Sequence, residues 1–235
     1  MHTSCYIKTF LGTSRARYLA MKLVWCPETA FKAYIDTVKA AQMREDVEDS
    51  AAAELVAAMA GGWNAKLIVE AWERGGGATT SVGLSEAARH TCGRHVCVLP
   101  DEDAAEDYAE VVGSDAAEVV VGEAEEVMRE LKGVELLVVD WRRRDAARIV
   151  REVRPGVKGM VVVCRHAGGG KGRPEVAVAA DGRRVVRSVY LPVGSGVQIL
   201  HVGVGKGPTV AGGELGRWIR HVDRKTGEEH VFRRR

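Results

Sequence analysis

Leu67 to Trp72 is a short run that is apolar except for Glu70, and three consecutive glycines, Gly75, Gly76 and Gly77, follow it closely. From Ser81 to His90 the apolar positions recur at helical spacing, and a second short run, Val96 to Leu99, leads into Pro100, Asp101 and Glu102. An apolar run, a Gly-rich turn, a helix that opens on Thr and Ser and a further apolar run form the pattern of a βαβ unit. Leu67 to Trp72 alone is compatible with either a helix or a strand, but the alternation that follows favours a strand. A βαβ unit implies a parallel sheet, whose ligands bind at the carboxyl ends of the strands, where glycines admit the backbone and the next helix offers free N–H groups. A small-molecule site is therefore expected around this turn.

Upstream, Phe31, Tyr34, Ile35 and Val38 share one face of a helix opening at Pro27 and Glu28, and they predict an amphipathic element packed by that face. Ala51 to Ala60, with Leu55, Val56 and Met59 and the stop Gly61-Gly62, predicts a second helix. Downstream, a helix from about Ala104 closes at Gly113, and a strand runs from Glu118 to Gly122. A helix from Ala124 to Leu131 leads to the clearest buried strand, Val134 to Asp140, which ends in a carboxylate. A helix from Asp145 to Val153 stops at Pro155-Gly156, and a strand spans Val157 to Cys164. The loop Ala167 to Arg173 shows no helix, and Arg184 to Leu191 with Val197 to Val202 read as an antiparallel hairpin. The tail after Gly203 is rich in Gly and charge and is expected to be mobile.

The 235 residues, 46% of them hydrophobic, suit one α/β core, with an extension at 1–20, a domain at 21–203 and a tail at 204–235. A net charge of +2 supplies no field for nucleic acid, and no aromatic platform accompanies the clusters Arg142 to Arg144 and Arg233 to Arg235. Those arginines either grip an anionic ligand or acidic partner or are solvated surface. Five cysteines without CxxC spacing point to a reducing compartment. No run is long enough to span a bilayer, so a soluble, cytoplasmic protein is expected. Residues 1–20 carry Lys8, Arg15 and Arg17 and no acid, which reads as a weak organelle-targeting segment or as a disordered extension before Met21.

Several segments carry a family resemblance: Lys22 to Trp25, Pro27 to Ala30, Ala58 to Glu70 and Gly93 to Glu102. Through them the chain resembles the uncharacterised plant family DUF1442 over roughly residues 21–203. The alternation from 66 to 164 and the hairpin around Ser188 to Val197 are similar to class I S-adenosylmethionine-dependent methyltransferases, nearest the caffeoyl-CoA and catechol O-methyltransferases. The resemblance implies a three-layer, doubly wound, Rossmann-like fold, mostly parallel, with a C-terminal antiparallel hairpin.

It also implies a cofactor, S-adenosylmethionine, and residues to hold it. Glu70 matches the acid that ends the first strand, although Trp72 stands where the first glycine is expected, with Gly75, Gly76, Gly77 and Ser81 as the substitute loop and helix start. Asp101 or Glu102 matches the ribose acid, and Gly122 with Glu123 matches the element beside the adenine. Asp140 matches the fourth-strand carboxylate and is the one catalytic candidate. In metal-dependent members that carboxylate binds Mg²⁺, but the expected Asp-Asn pair is replaced by Cys164, Arg165 and His166, and arginines follow Asp140. A metal site is therefore not expected.

Each assignment has a plainer counterpart. The plainer reading makes the glycines a flexible turn, has Glu70 and Asp140 cap helices or pair with arginines, and takes His166 as a surface loop histidine without an orienting partner in place of an acid/base residue. Two functions stand side by side: a metal-independent methyltransferase of a small-molecule acceptor, or an inactive methyltransferase-like protein that binds a protein partner.

Overall fold

A computed structural model describes residues 25–43, 50–74, 78–113, 116–169, 172–180, 182–205, 209, 218–222 and 229–233. The N-terminal segment 1–20 and the glycines Gly75, Gly76 and Gly77 lie outside the described residues, so the expectations attached to them do too. The chain runs α1 (Pro27–Gln42), α2 (Ser50–Gly62), β1 (Leu67–Ala71), α3 (Ala78–Thr91), β2 (Arg94–Leu99), α4 (Glu102–Val111), β3 (Glu118–Val121) and α5 (Ala124–Glu130). It continues through β4 (Lys132–Val134), β5 (Leu136–Asp140), α6 (Ala146–Glu152), β6 (Arg154–Pro155), β7 (Met160–Arg165) and α7 (Pro174–Ala179). Then come β8 (Arg184–Leu191), β9 (Val197–Gly203), β10 (Trp218–Val222) and β11 (Glu229–Arg233).

Seven strands form one sheet in the order β3-β2-β1-β5-β7-β9-β8. The first five are mutually parallel, and β9 runs antiparallel between β7 and the edge strand β8. The chain winds outward from β1 to β3 and then returns to β5 on the other side, so the switch point lies between β1 and β5. The inner strands are aliphatic on both faces, as a sheet covered by helices on both sides requires. On one face Ile68, Leu136, Val138 and Val161 pack against α1, α2 and α3, with Trp72, Cys97 and Leu99 against α4. On the other, Val69, Val139 and Val162 pack against Met128 of α5, Ile149 and Val150 of α6 and Val178 of α7. Each aliphatic side chain so buried contributes about 1.5–3 kcal/mol.

The amphipathic reading of α1 is corrected. Its buried residues are the small ones, Ala30, Ala33 and Thr37, whereas Phe31 and Tyr34 are 65% and 40% exposed. The reason is close helix packing: a Cβ on Gly61 of α2 would stand 2.5 Å from the Thr29 carbonyl oxygen, and one on Gly83 of α3 would stand 3.0 Å from Thr37. Helices that approach so closely bury small side chains and leave large ones outside.

The long strand expected from Val134 to Asp140 breaks at Glu135, where the side chain accepts from the Lys66 backbone N–H at 2.8 Å and lies 3.2 Å from Lys158 Nζ. The preceding β4 pairs with β6 in a separate ribbon. The strand expected from Val157 begins only at Met160, because Gly159 at φ +88° closes a turn onto Gly156 and leaves Val157 outside. The short helix α7 opens on Pro174, in a stretch for which the sequence predicted no element. In the tail, where no regular structure was expected, β10 and β11 pair antiparallel.

Candidate functional site

Alternation along β1 sends Ile68, Glu70 and Trp72 to one face of the sheet. Glu70 is therefore buried, and it accepts a hydrogen bond from Ser81 Oγ at 2.5 Å. His95 Nε2 stands 3.5 Å from the same carboxylate oxygen, beyond hydrogen-bond geometry, and its Nδ1 lies 3.0 Å from Ser85 Oγ. Two residues expected at the cofactor, Glu70 and Ser81, are thus brought together, but beneath α3 and not over the strand ends. Burial first, and then the Glu70 charge, push the Cys97 thiol and the Tyr108 hydroxyl up. Neither group is ionised at neutral pH, so neither serves as a nucleophile.

Trp72 follows the same alternation. Its indole packs edge-on against Tyr108, with ring centroids 5.6 Å apart and planes at 86°. It thus lies between β2, α3 and α4 and does not project over the end of β1. Its Nε1–H is buried without an acceptor among the described residues.

Asp101 ends the loop after β2 and caps α4, accepting from the Ala104 N–H at 2.7 Å. Arg74 lies 3.7 Å from the same oxygen and pairs with Asp107 at 2.6 Å. The Asp101 side chain remains 60% exposed, facing out at the strand end. Glu102 is exposed in the first turn of α4, and Glu123 is exposed before α5. Gly122 donates its N–H to the Leu99 carbonyl, which ties the end of β3 to that of β2.

Asp140 ends β5 at the switch point, and Arg142 engages both its oxygens. The Arg142 backbone N–H reaches Oδ1 at 2.8 Å, and its guanidinium lies 2.7–3.1 Å from Oδ1 and Oδ2. Burial opposes ionisation of Asp140, but these hydrogen bonds, with His166 nearby, hold its carboxyl below the usual range. Arg143 binds Asp145 with two hydrogen bonds, at 2.9 and 2.7 Å, and donates to the Trp72 carbonyl at 2.7 Å, joining the ends of β1 and β5. Two of the three clustered arginines are therefore internal partners and not free grips for a ligand.

The sequence reads His166 as a surface loop histidine without an orienting partner, and its place is corrected. It follows β7, which neighbours β5, and its Nδ1 lies 3.0 Å from Asp140 Oδ2, close enough for an ion pair though off the hydrogen-bonding axis. Its side chain is only 14% exposed. Its φ of +54° is a left-handed conformation that His, Asn and Asp adopt more readily than most residues. The signal lay in the two strand ends: Asp140 and Arg165 are register partners, so the residue after β7 meets the acid.

Among the described residues, Asp36, Glu86 and His90 form the one group spaced for a metal ion. Arg89 contacts both carboxylates, and Lys39 stands 3.1 Å from Asp36, so cations of the protein already occupy it.

The family described as "Protein of unknown function (DUF1442)" matches residues 21–234. The chain belongs to the DUF1442 family. The match includes the C-terminal segment that the sequence resemblance had left outside. No protein with a curated description matches the sequence. Among solved structures, this DUF1442 chain is similar to a methyltransferase from Geobacter sulfurreducens, at 17% identity and a TM-score of 0.52, over 72% of this chain and 88% of that one. It is also similar to the Podospora anserina methyltransferase PaMTH1, solved with S-adenosylhomocysteine bound, at 13% identity and a TM-score of 0.51, over 83% of this chain and all of that one. At such identities the likeness shows the fold: DUF1442 here is a Rossmann-like methyltransferase fold. Among the described residues no helix is long and apolar enough to cross a membrane.

Proposed function

We propose that this chain is an S-adenosylmethionine-dependent methyltransferase that acts on a small-molecule acceptor without a divalent metal, nearest in kind to the small-molecule O-methyltransferases. One observation carries the reading: carboxylates stand at the ends of two strands on either side of β1, Asp101 after β2 and Asp140 in β5, beside the switch point of a methyltransferase fold, with Glu70 of β1 buried beneath α3. When bound, the cofactor supplies an electrophilic methyl group.

The residues present fit the adenosine side best. Asp101 is exposed at its strand end and is held in place by α4, so its carboxylate would accept from the ribose hydroxyls. Gly122 and Glu123 would lie beside the base, with Gly75, Gly76 and Gly77 as the loop under the methionine part. Glu70 would act through Ser81 by bracing the end of β1. Arg142 supports the metal-independent part, because a cation at Asp140 would first have to displace a guanidinium bound to both oxygens.

Arg143 favours a second reading. Its bond to the Trp72 carbonyl crosses from the end of β5 to that of β1, and a crossed crevice suits a binding protein without chemistry. Calorimetric titration separates the two. S-adenosylmethionine and S-adenosylhomocysteine are expected to bind, and Asp101→Ser, which keeps a capping oxygen but removes the carboxylate, is expected to weaken binding about tenfold or more. No heat with either compound would sink the methyltransferase reading. Millimolar Mg²⁺ is expected to leave Tm unchanged, whereas a ligand at about 100 times its Kd stabilises by about 2.7 kcal/mol. A rise in Tm that Asp140→Asn abolishes would overturn metal independence.

A further inference from the structure

We infer that the outer face of α1 is the interface of a homodimer, in which two copies of α1 pack antiparallel about a twofold axis near Tyr34; this is independent of the methyltransferase reading. α1 turns its small residues inward, where Ala33 and Thr37 lie against Gly61 of α2 and Gly83 of α3. Helical spacing gathers Phe31, Tyr34, Ile35 and Val38 on the other side. Phe31 and Tyr34 are exposed and Ile35 and Val38 are half-buried, so an aromatic and aliphatic stripe faces solvent. On a helix already packed through its opposite face, such a stripe marks a surface that a partner covers.

The charges beside the stripe select a second copy as that partner. Glu28, Lys32 and Lys39 are exposed along one edge of it, with Glu28 in the first turn of α1 and Lys39 in the last. Within one chain Glu28 pairs with Lys32 at 2.7 Å and Lys39 with Asp36 at 3.1 Å, solvent-facing pairs that are worth little and exchange readily. A twofold axis across the middle of α1 reverses the partner helix and keeps the two charged edges on the same side. Residues nearly equally far from Tyr34 on its two sides then stand opposite one another. Tyr34 meets Tyr34 of the partner subunit, and Phe31 lies against Val38 of the partner subunit. Glu28 faces Lys39 of the partner subunit, and Lys32 falls beside Asp36 of the partner subunit. A parallel pair would bring the charged edge of one helix to the uncharged edge of the other and leave these charges unmatched. The 16 residues of α1 make a seam about 24 Å long, at the small end of specific interfaces, so the dimer dissociates in the micromolar range.

Sedimentation equilibrium of the full chain from about 1 to 100 μM tests this and is expected to show a reversible equilibrium of monomer and dimer. Tyr34→Glu sets two carboxylates face to face at the axis and is expected to weaken the dimer about 30-fold or more, with the circular dichroism of the fold unchanged. Glu28→Lys and Lys39→Glu each set like charges opposite one another and are each expected to weaken it about three- to tenfold. The two together restore the pairing and are expected to return the affinity to within about threefold of the unaltered chain. A double variant as weak as the single ones, or an unaltered affinity in Tyr34→Glu, overturns the antiparallel pairing of α1. A full chain that stays monomeric overturns the dimer. The Tm of Tyr34→Glu then separates the other occupants, falling where the chain's own N-terminal segment covers the stripe and holding where a different protein does.

Discussion

Ser81 of α3 donates its hydroxyl to Glu70 Oε2 of β1 at 2.5 Å, and both residues are buried. The bond ties α3 to β1, the strand that precedes it in the chain. Glu70→Ala removes the acceptor of the Ser81 hydroxyl, at an expected cost of about 1–3 kcal/mol of stability. Glu70→Gln keeps an oxygen for Ser81 and is expected to cost less. Denaturant unfolding of the two variants checks this, and an equal loss in both would show that the hydrogen bond is not what the carboxylate contributes.

The helical layer makes a separate prediction. Gly61→Ala places a methyl group 2.5 Å from the Thr29 carbonyl oxygen, which is backbone and cannot swing aside. The same region carries the Thr29 Oγ1 bond to the Gly61 carbonyl at 2.6 Å. Separation of α1 from α2 is expected to cost about 1–3 kcal/mol. An unchanged Tm would mean that the two helices do not pack as closely as described.

Stability near neutrality should depend on His201. Burial first, and then the positive charge of Arg187, hold its imidazole below the usual histidine range, and it packs edge-on against Trp63 at 5.8 Å. A lowered folded value means that the unfolded chain takes up the proton first as pH falls. The stabilisation is thus fully present above the unfolded value of about 6.5 and is lost as pH falls through the folded value. Unfolding free energy is expected to decline between about pH 7 and 5, with a shallower decline in His201→Gln. The same slope in both proteins would assign the effect to other groups.

Much of this architecture is written locally. The apolar runs of β1, β2, β5 and β7, the glycine and proline stops and the hairpin of β8 and β9 follow from short-range patterning, because buried parallel strands need aliphatic residues on both faces and turns need residues that permit them. Glu70, Asp101 and Asp140 were likewise legible as strand-end acids. What each acid does was not. Tertiary structure turned Glu70 inward to Ser81, tied Asp140 to Arg142 and His166, and directed Trp72 onto Tyr108. It also turned Phe31 and Tyr34 outward, because α1 packs closely through its small residues. Spacing along the chain reports which residues share a face; which partner that face meets depends on elements distant in sequence, and their contacts appear only when the sheet and its helices assemble.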